Sequence, residues 1–334
     1  MNANQRALDL PDAALGALLG ACIGDAAGAV LEFMEPPTTA QVQWAMTMPG
    51  GGVWGVAPGQ ITDDGELMLC LAQALAESPT FDLERIARTY AAWIDSPPFD
   101  IGTTTSRSLG SVRGAPASYA ATMTEAATRY CMDSKSNGSL MRAAPLGVWG
   151  SHLSPAELAD CARQDSCLSH PNPSCWQAVA CYALAIAHLM KHLGDRQGAF
   201  AVAQTWAQAH ANTEVQGWLT DAANNTHTPY TPQIGFVRIG FTHAFRHLLL
   251  GTDYATALAE TLAGGGDTDT NGCIVGGLLG AACGAEGIPA VLRQTVLTCD
   301  TTQGRPRPAF LHTSQIPTLG ADAYNCRPIV SIQG

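Results

Sequence analysis

Along most of this chain, apolar residues recur at the three- and four-residue spacing that places them on one helix face. Leu15, Leu18, Leu19 and Cys22 form such a set near the N-terminus. Leu67, Leu71, Ala74 and Leu75 predict a helix from about Asp64 to Ala76, and Leu83, Ile86, Tyr90 and Ile94 predict another that begins near Asp82. Ser154-Pro155-Ala156-Glu157 has the form of a capping box with proline at the first helical position, which marks a helix start. Alanine-rich helical segments follow over 175–193, 196–210 and 237–264, and one more over 268–283. Strand patterns are scarce, the best being Ile329-Val330-Ser331-Ile332. Gly and Pro cluster at 48–60, 94–103, 171–173 and 304–317, which read as loops between helices. No repeat of fixed period is visible. The expectation is one all-α domain over residues 1–334, with a core over about 12–300 and a C-terminal extension over 301–334.

Composition narrows the function classes. Of 334 residues, 46% are hydrophobic and 13% charged, the opposite of a disordered chain. The formal net charge is -11, and no run of Lys or Arg occurs, so binding to a nucleic-acid backbone is not expected. The eleven cysteines include no C-x-x-C pair, and the densest group, Cys161, Cys167, Cys175 and Cys181, lacks zinc-ribbon spacing. They read as structural thiols, which suits a reducing compartment and the cytoplasm. The first residues lack the apolar core of a signal peptide, and no apolar run reaches the length of a membrane span.

Two acidic constellations stand apart. Thr62-Asp63-Asp64-Gly65-Glu66 lies where an apolar-periodic helix begins. Taken alone, Asp63 with Glu66 matches a capping arrangement, and acids at a helix N-terminus suit its dipole. Gly264-Gly265-Gly266-Asp267-Thr268-Asp269-Thr270 opens a second helix with more oxygen ligands in a row than a cap requires. Together Asp63, Asp64, Asp267 and Asp269 supply four carboxylates, with at least two hydroxyls beside them. An all-oxygen set points to a hard cation, Mg²⁺, Mn²⁺ or Ca²⁺. Four crowded carboxylates would repel one another unless divalent ions neutralised them, which is the logic of a two-metal hydrolytic site.

These motifs, with others in a fixed order, resemble the ADP-ribosylglycohydrolase family. The order runs from Gly16-Ala17-Leu18-Leu19-Gly20 through Gly24-Asp25-Ala26-Ala27-Gly28 and Glu32 to Thr62-Asp63-Asp64. Asp100-Ile101-Gly102-Thr103-Thr104, Ser136-Asn137-Gly138-Ser139-Leu140-Met141-Arg142, Ser169-His170-Pro171 and Gly265-Gly266-Asp267-Thr268-Asp269-Thr270 complete it. The resemblance covers roughly residues 12–300. It implies an all-α fold and a binuclear Mg²⁺ or Mn²⁺ centre held by Thr62, Asp63, Asp64, Asp267, Asp269 and Thr270. It also implies Glu32 and Asp269 as candidate proton-moving groups, with Gly102, Ser136, Asn137, Gly138, Ser139 and His170 around the ADP-ribose. The implied reaction is hydrolysis of the bond between ADP-ribose and an acceptor, most directly a protein arginine. The implied partners are an ADP-ribosylated protein or ADP-ribosyl small molecule and a cognate ADP-ribosyltransferase. Two other readings are a binding protein that occupies an ADP-ribosylating toxin and a hydrolase of a small ADP-ribosyl metabolite.

The chain departs from the family pattern in two places. Gly65-Glu66 replaces a common third hydroxyl, leaving Glu66 as a cap or a substrate contact. Ser134 stands where some relatives carry an acid. Arg142 is either a phosphate clamp or the partner of a buried carboxylate. Asp25 is either a structural link at a helix junction or a group that orients a metal ligand. His188 with His192, and His243 with His247, have helical spacing but no H-E-x-x-H pattern, and read as packing or surface residues. Trp54, Trp93, Trp149 and Tyr90 either line the site or, as the better reading, act as core or loop anchors.

Overall fold

The structure, a computed structural model, describes residues 3–112, 114 and 116–326. The strand candidate at 329–332 lies outside them. Sixteen α-helices are present among the described residues: α1 (Ala3–Gly28), α2 (Thr39–Ala45), α3 (Asp63–Ala76), α4 (Leu83–Asp95), α5 (Thr103–Ser108), α6 (Tyr119–Tyr130), α7 (Ala144–Trp149) and α8 (Pro155–Cys167), then α9 (Pro173–Lys191), α10 (Arg196–His210), α11 (Thr213–Ala223), α12 (Val237–Leu250), α13 (Tyr254–Ala263), α14 (Thr268–Cys283), α15 (Ala290–Leu297) and α16 (Ile316–Asn325). Among the described residues strand pairing is limited to isolated bridges, Gly51 with Val56 and Ser136 with Phe236. The fold is all-α, as the periodicity predicts.

Local chemistry accounts for many helix ends. The Ser154 hydroxyl accepts from the Glu157 N–H at 3.3 Å, and Glu157 accepts from the Ser154 N–H at 2.8 Å, closing the predicted box. Asp82 caps α4 by accepting from the Arg85 N–H at 3.0 Å. The segment 237–264, expected as one helix, is two. Gly251 adopts φ 68°, a left-handed conformation that suits glycine, and ends α12. Asp253 then caps α13 through the Thr256 N–H at 3.0 Å. The stretch 304–317, expected as a loop, contains the 3₁₀ turns Ala309–Leu311 and Thr313–Gln315 and the start of α16.

The centre of the fold is the antiparallel contact of α1 with α14. Glycines at positions 16, 20 and 24 of α1 face Gly280, Gly276 and Gly272 of α14, each row stepping by four residues along one helix face. A Cβ on Gly24 would lie 2.0 Å from the Gly272 carbonyl oxygen, and one on Gly20 would lie 2.3 Å from that of Gly276. The two backbones therefore touch directly, as side-chain-bearing helices cannot. The seam ends where Gly28 meets Thr268 and Asp269. Residues on the remaining faces of α14 are also buried, which explains why its sequence is apolar all round.

All eleven cysteines are free thiols. Burial pushes Cys161 and Cys175 up to about 12, which disfavours reactive thiolates there. Among the described residues no helix is long and apolar enough to cross a membrane.

His243 and His247 are buried on α12, and burial pushes each imidazole down to about 4, with Arg246 adding to the effect. An unfolded histidine takes up its proton near pH ~6.5. Their contribution to stability is therefore complete above that pH and lost as the pH falls toward 4. The raised carboxylates described below act in the opposite sense, so the expected result is a difference. Between pH 7 and pH 5, wild type should lose more stability to urea, or gain less, than His243→Asn/His247→Asn. Parallel curves would show that these imidazoles are not held neutral.

Candidate active site

Asp25 on α1 positions the first turn of α3. Its carboxylate accepts from the Thr62 N–H at 3.0 Å, the Thr62 hydroxyl at 2.9 Å and the Gly65 N–H at 2.8 Å. A Cβ on residue 65 would lie 2.7 Å from Asp25 Oδ2, so the departure at Gly65 accommodates this clasp. The turn leaves Asp63 and Asp64 buried inside the helix, not capping it. Asp64 Oδ2 accepts from the Thr62 hydroxyl at 3.1 Å, while buried Oδ1 has no hydrogen-bond partner in the protein.

The glycine run builds the second turn. Gly265 and Gly266 take φ 68° and 74°, and the Gly266 carbonyl accepts from the Phe33 N–H at 2.9 Å. The Thr268 hydroxyl donates to the Gly28 carbonyl at 2.7 Å, which fixes the start of α14 on the end of α1. Asp267 occupies the N-cap position yet makes no side-chain cap bond. Its Oδ2 instead accepts from Asn137 Nδ2 at 2.7 Å, and Asp269 Oδ1 accepts from the Thr270 N–H at 2.8 Å.

The two turns meet. One carboxylate oxygen each from Asp25, Asp64 and Asp269 lie within 4.8 Å of one another, and so do oxygens from Glu32, Asp100 and Asp269. Asp269 belongs to both groups. Asp63, Asp267 and Thr270 line the same cavity of about 460 Å³, whereas Thr62 and Asp64 sit behind its wall. Burial first, then mutual repulsion, pushes Asp63, Asp64 and Asp269 well above the usual carboxylate range. Burial likewise raises Asp100 to about 10 and Glu32 to about 7. Among the described residues no Lys or Arg lines the cavity. An oxygen-only donor set, an unpartnered buried carboxylate oxygen and uncompensated negative charge together fit a hard divalent cation.

Glu32 faces this cluster, and its carboxylate accepts from the indole N–H of Trp54. Trp54 therefore lines the cavity and positions an acid; it is more than the loop anchor expected from sequence. Trp93, Trp149 and Tyr90 are in the core, as expected.

Gly102 and the turn at 136–138 also line the cavity. Ser136 Oγ lies 2.9 Å from His170 Nε2 and 3.2 Å from the Thr104 hydroxyl, which donates to or accepts from Ser134 at 2.8 Å. Ser134, Thr104 and Ser136 thus form a chain of hydroxyls that ends on His170. A Cβ on Gly138 would lie 2.8 Å from His170 Cε1, so glycine lets the turn rest on the imidazole. Burial pushes His170 down to about 3 and keeps it neutral. Ser139, expected beside the substrate, does not line the cavity; its hydroxyl accepts from Ser166 at 2.9 Å.

Arg142 is the partner of a buried carboxylate and not a phosphate clamp. It is 0% exposed, pairs with Asp165 at 3.1 Å, and donates to the Ser169 hydroxyl at 2.9 Å and the Gly138 carbonyl at 3.3 Å. It thereby ties the 136–138 turn to His170. Arg142→Met should cost about 3 kcal/mol in urea unfolding, because Asp165 would stay buried without its cation. Arg142→Met/Asp165→Leu should recover part of that loss; no recovery would mean the cost lies in packing.

Asp100, Phe33, Ile234 and Gly235 also line the cavity and received no role in the sequence reading. Asp100 left a signal: an acid between Phe99 and Ile101, just before a helix start. The other three left none, because they arrive on loops whose course depends on distant contacts.

The ADP-ribosylglycohydrolase family model matches residues 6–315. The chain belongs to this family. A protein of Acanthamoeba polyphaga mimivirus named as an ADP-ribosyl glycohydrolase is 31% identical over 312 residues, covering 87% of this chain and 92% of its own. The ADP-ribosyl-[dinitrogen reductase] glycohydrolase of Rhodospirillum rubrum is 32% identical over 285 residues, covering 84% and 88%. The ADP-ribosylarginine hydrolase of Pseudomonas putida is 26% identical over 330 residues, covering 95% and 82%. A solved structure described as an ADP-ribosylglycohydrolase-related protein complex shares the fold, with a TM-score of 0.73 at 22% identity over 96% of this chain and 99% of its own. The chain is thus a hydrolase of ADP-ribosyl linkages, with acidic clusters able to bind metal.

Proposed function

We propose that this enzyme releases ADP-ribose from ADP-ribosylated arginine, with two Mg²⁺ or Mn²⁺ ions held by Thr62, Asp63, Asp64, Asp267, Asp269 and Thr270. The observation that carries the cation reading is the pair of carboxylate groups, Asp25/Asp64/Asp269 and Glu32/Asp100/Asp269, that share Asp269, together with the buried and unpartnered Asp64 Oδ1. The name of the Pseudomonas putida relative supports arginine as the acceptor. Such ions supply Lewis-acid polarisation and lower the pKa of bound water.

The chain's own residues supply the rest. Hydrolysis breaks the bond from the ribose anomeric carbon to the guanidine nitrogen and adds hydroxyl to the carbon and a proton to the nitrogen. Positive charge develops on the sugar, and the acidic wall stabilises it. Glu32, whose carboxylate Trp54 holds beside Asp269, is the group placed to move the proton. Asn137 fixes Asp267, leaving its other oxygen free of that bond. Neutral His170 supports the 136–138 turn, which would carry the ADP-ribose.

The test is incubation with arginine-ADP-ribosylated protein in Mg²⁺, in Mn²⁺ and in EDTA, with free ADP-ribose quantified. Release with metal and none with EDTA is expected. Release that EDTA leaves untouched would overturn the metal reading, and release only from small ADP-ribosyl compounds would move the substrate assignment. Mg²⁺ or Mn²⁺ should also raise Tm at pH 7.5. An unchanged Tm at millimolar ion would refute the cation site.

A further inference from the structure

Residues 304–308 pack against the 51–60 segment, and two of their arginines bond to segments that lead to the cavity. Gly304 packs on the 51–57 loop, where a Cβ would lie 2.0 Å from the Ala57 nitrogen. The next arginine, Arg305, donates its backbone N–H to Gln60 at 3.0 Å and its Nε to the Trp54 carbonyl. Arg307 is buried, with its side chain 4% exposed. Its Nε and Nη2 donate to the two oxygens of Glu66 at 2.7 and 2.9 Å. Nη1 donates to the carbonyls of Ser96 and Pro97, and Nη2 also reaches the Ser96 hydroxyl at 2.8 Å. Every N–H of the guanidinium is thereby used. Glu66, read from sequence as a cap or a substrate contact, is neither: it also accepts from the Trp93 indole at 2.7 Å.

The two things that Arg307 joins both bear on the site. Glu66 lies in the first turn of α3, two residues beyond Asp64. Ser96 and Pro97 begin the loop that carries Asp100 and Gly102 to the cavity. Pro97 and Pro98 have no N–H to give, and among the described residues positions 97–101 make no backbone–backbone hydrogen bond. The loop is held instead by Arg307 and by Phe99, whose ring centroid lies 5.9 Å from the Arg307 guanidinium and 6.4 Å from the Trp54 ring.

We infer that Arg307 is a positioning residue that sets Asp100 against the Asp64-bearing turn, through its bonds to Glu66 on one side and to Ser96 and Pro97 on the other. The inference rests on the proposed reading of the acids as a cation site. Lysine would keep the charge but cannot span both partners with a planar fork.

Four forms of the full chain separate positioning from stability: wild type, Arg307→Lys, Arg307→Leu and Glu66→Gln/Arg307→Leu. The readouts are Tm without metal, Mn²⁺ affinity by calorimetry, and kcat and KM for release of ADP-ribose. Arg307→Leu leaves Glu66 buried and unpaired and should lower Tm. Glu66→Gln/Arg307→Leu removes that charge, keeps an acceptor for Trp93 and should restore Tm. If Arg307 positions the loop, the double variant and Arg307→Lys still bind Mn²⁺ roughly ten- to a hundredfold more weakly, with the loss of turnover in kcat. Wild-type Mn²⁺ affinity in the double variant at restored Tm would make Arg307 a stability element only and overturn the inference. Absence of Mn²⁺ binding by wild type would overturn the cation reading itself, and the inference with it.

Discussion

Asp269→Asn should lower kcat by at least about a thousandfold, some 4 kcal/mol of transition-state stabilisation, while the metal-free protein stays as stable as wild type or becomes more so. The two halves of this result have one cause. Asp269 belongs to both carboxylate groups and is buried with Asp64, Asp267, Glu32 and Asp100 around it. Burial and these like charges push its carboxyl well up, so its ionised form is a burden on the empty fold. An amide of the same shape relieves that burden. It also removes an anionic oxygen from each group, so the rise in Tm with Mn²⁺ should shrink or vanish. Turnover, calorimetric Tm with and without Mn²⁺, and circular dichroism read all three effects. Wild-type turnover would remove Asp269 from the chemistry. A large loss of metal-free stability would make it a structural acid.

Gly24→Ala should cost about 3 kcal/mol, the upper part of the usual range for overpacking, and about a hundredfold in turnover. The added methyl would start 2.0 Å from the Gly272 carbonyl oxygen, a contact that only backbone movement can relieve. That movement reaches the site from both sides. Asp25, the next residue on α1, clasps the Thr62–Gly65 turn. Four residues beyond Gly24, Gly28 holds the start of α14 through Thr268. Misplacing reacting groups by about 1 Å is enough for a loss of that size. Gly217→Ala on α11 is the control: an added Cβ there meets nothing within 4 Å. It should gain about 0.5–1 kcal/mol, because alanine is the better helix former. Urea unfolding and kcat for both variants check the contrast. Full activity and stability in Gly24→Ala would show that the seam does not set the site.

Helices start and end where the residues say they should when the signal is local. Ser154 with Glu157 and Asp82 before Leu83 act within one turn of chain, so their caps were legible. The break at Gly251 was missed because alanine- and leucine-rich sequence on both sides masked a single left-handed residue. Glu66 was misread for the opposite reason. Its position at a helix start suggested a cap, but its partner lies 241 residues away in Arg307. Arg142 and Asp165 are only 23 residues apart, yet nothing in the intervening sequence fixes their pairing.

By itself the sequence determined that this protein is a bundle of helices whose acids gather at two helix starts, because apolar period, caps and glycine runs act over a few neighbouring residues. Tertiary structure alone decided that the two starts share one cavity, that Asp100 joins them, that Trp54 holds Glu32, and that Arg307 ties Ser96 and Pro97 to α3. The meeting of the two starts depends on how closely α1 and α14 approach. That distance is set by the absence of side chains on two facing helix stripes more than 240 residues apart, and such a fit exists only once the chain has folded.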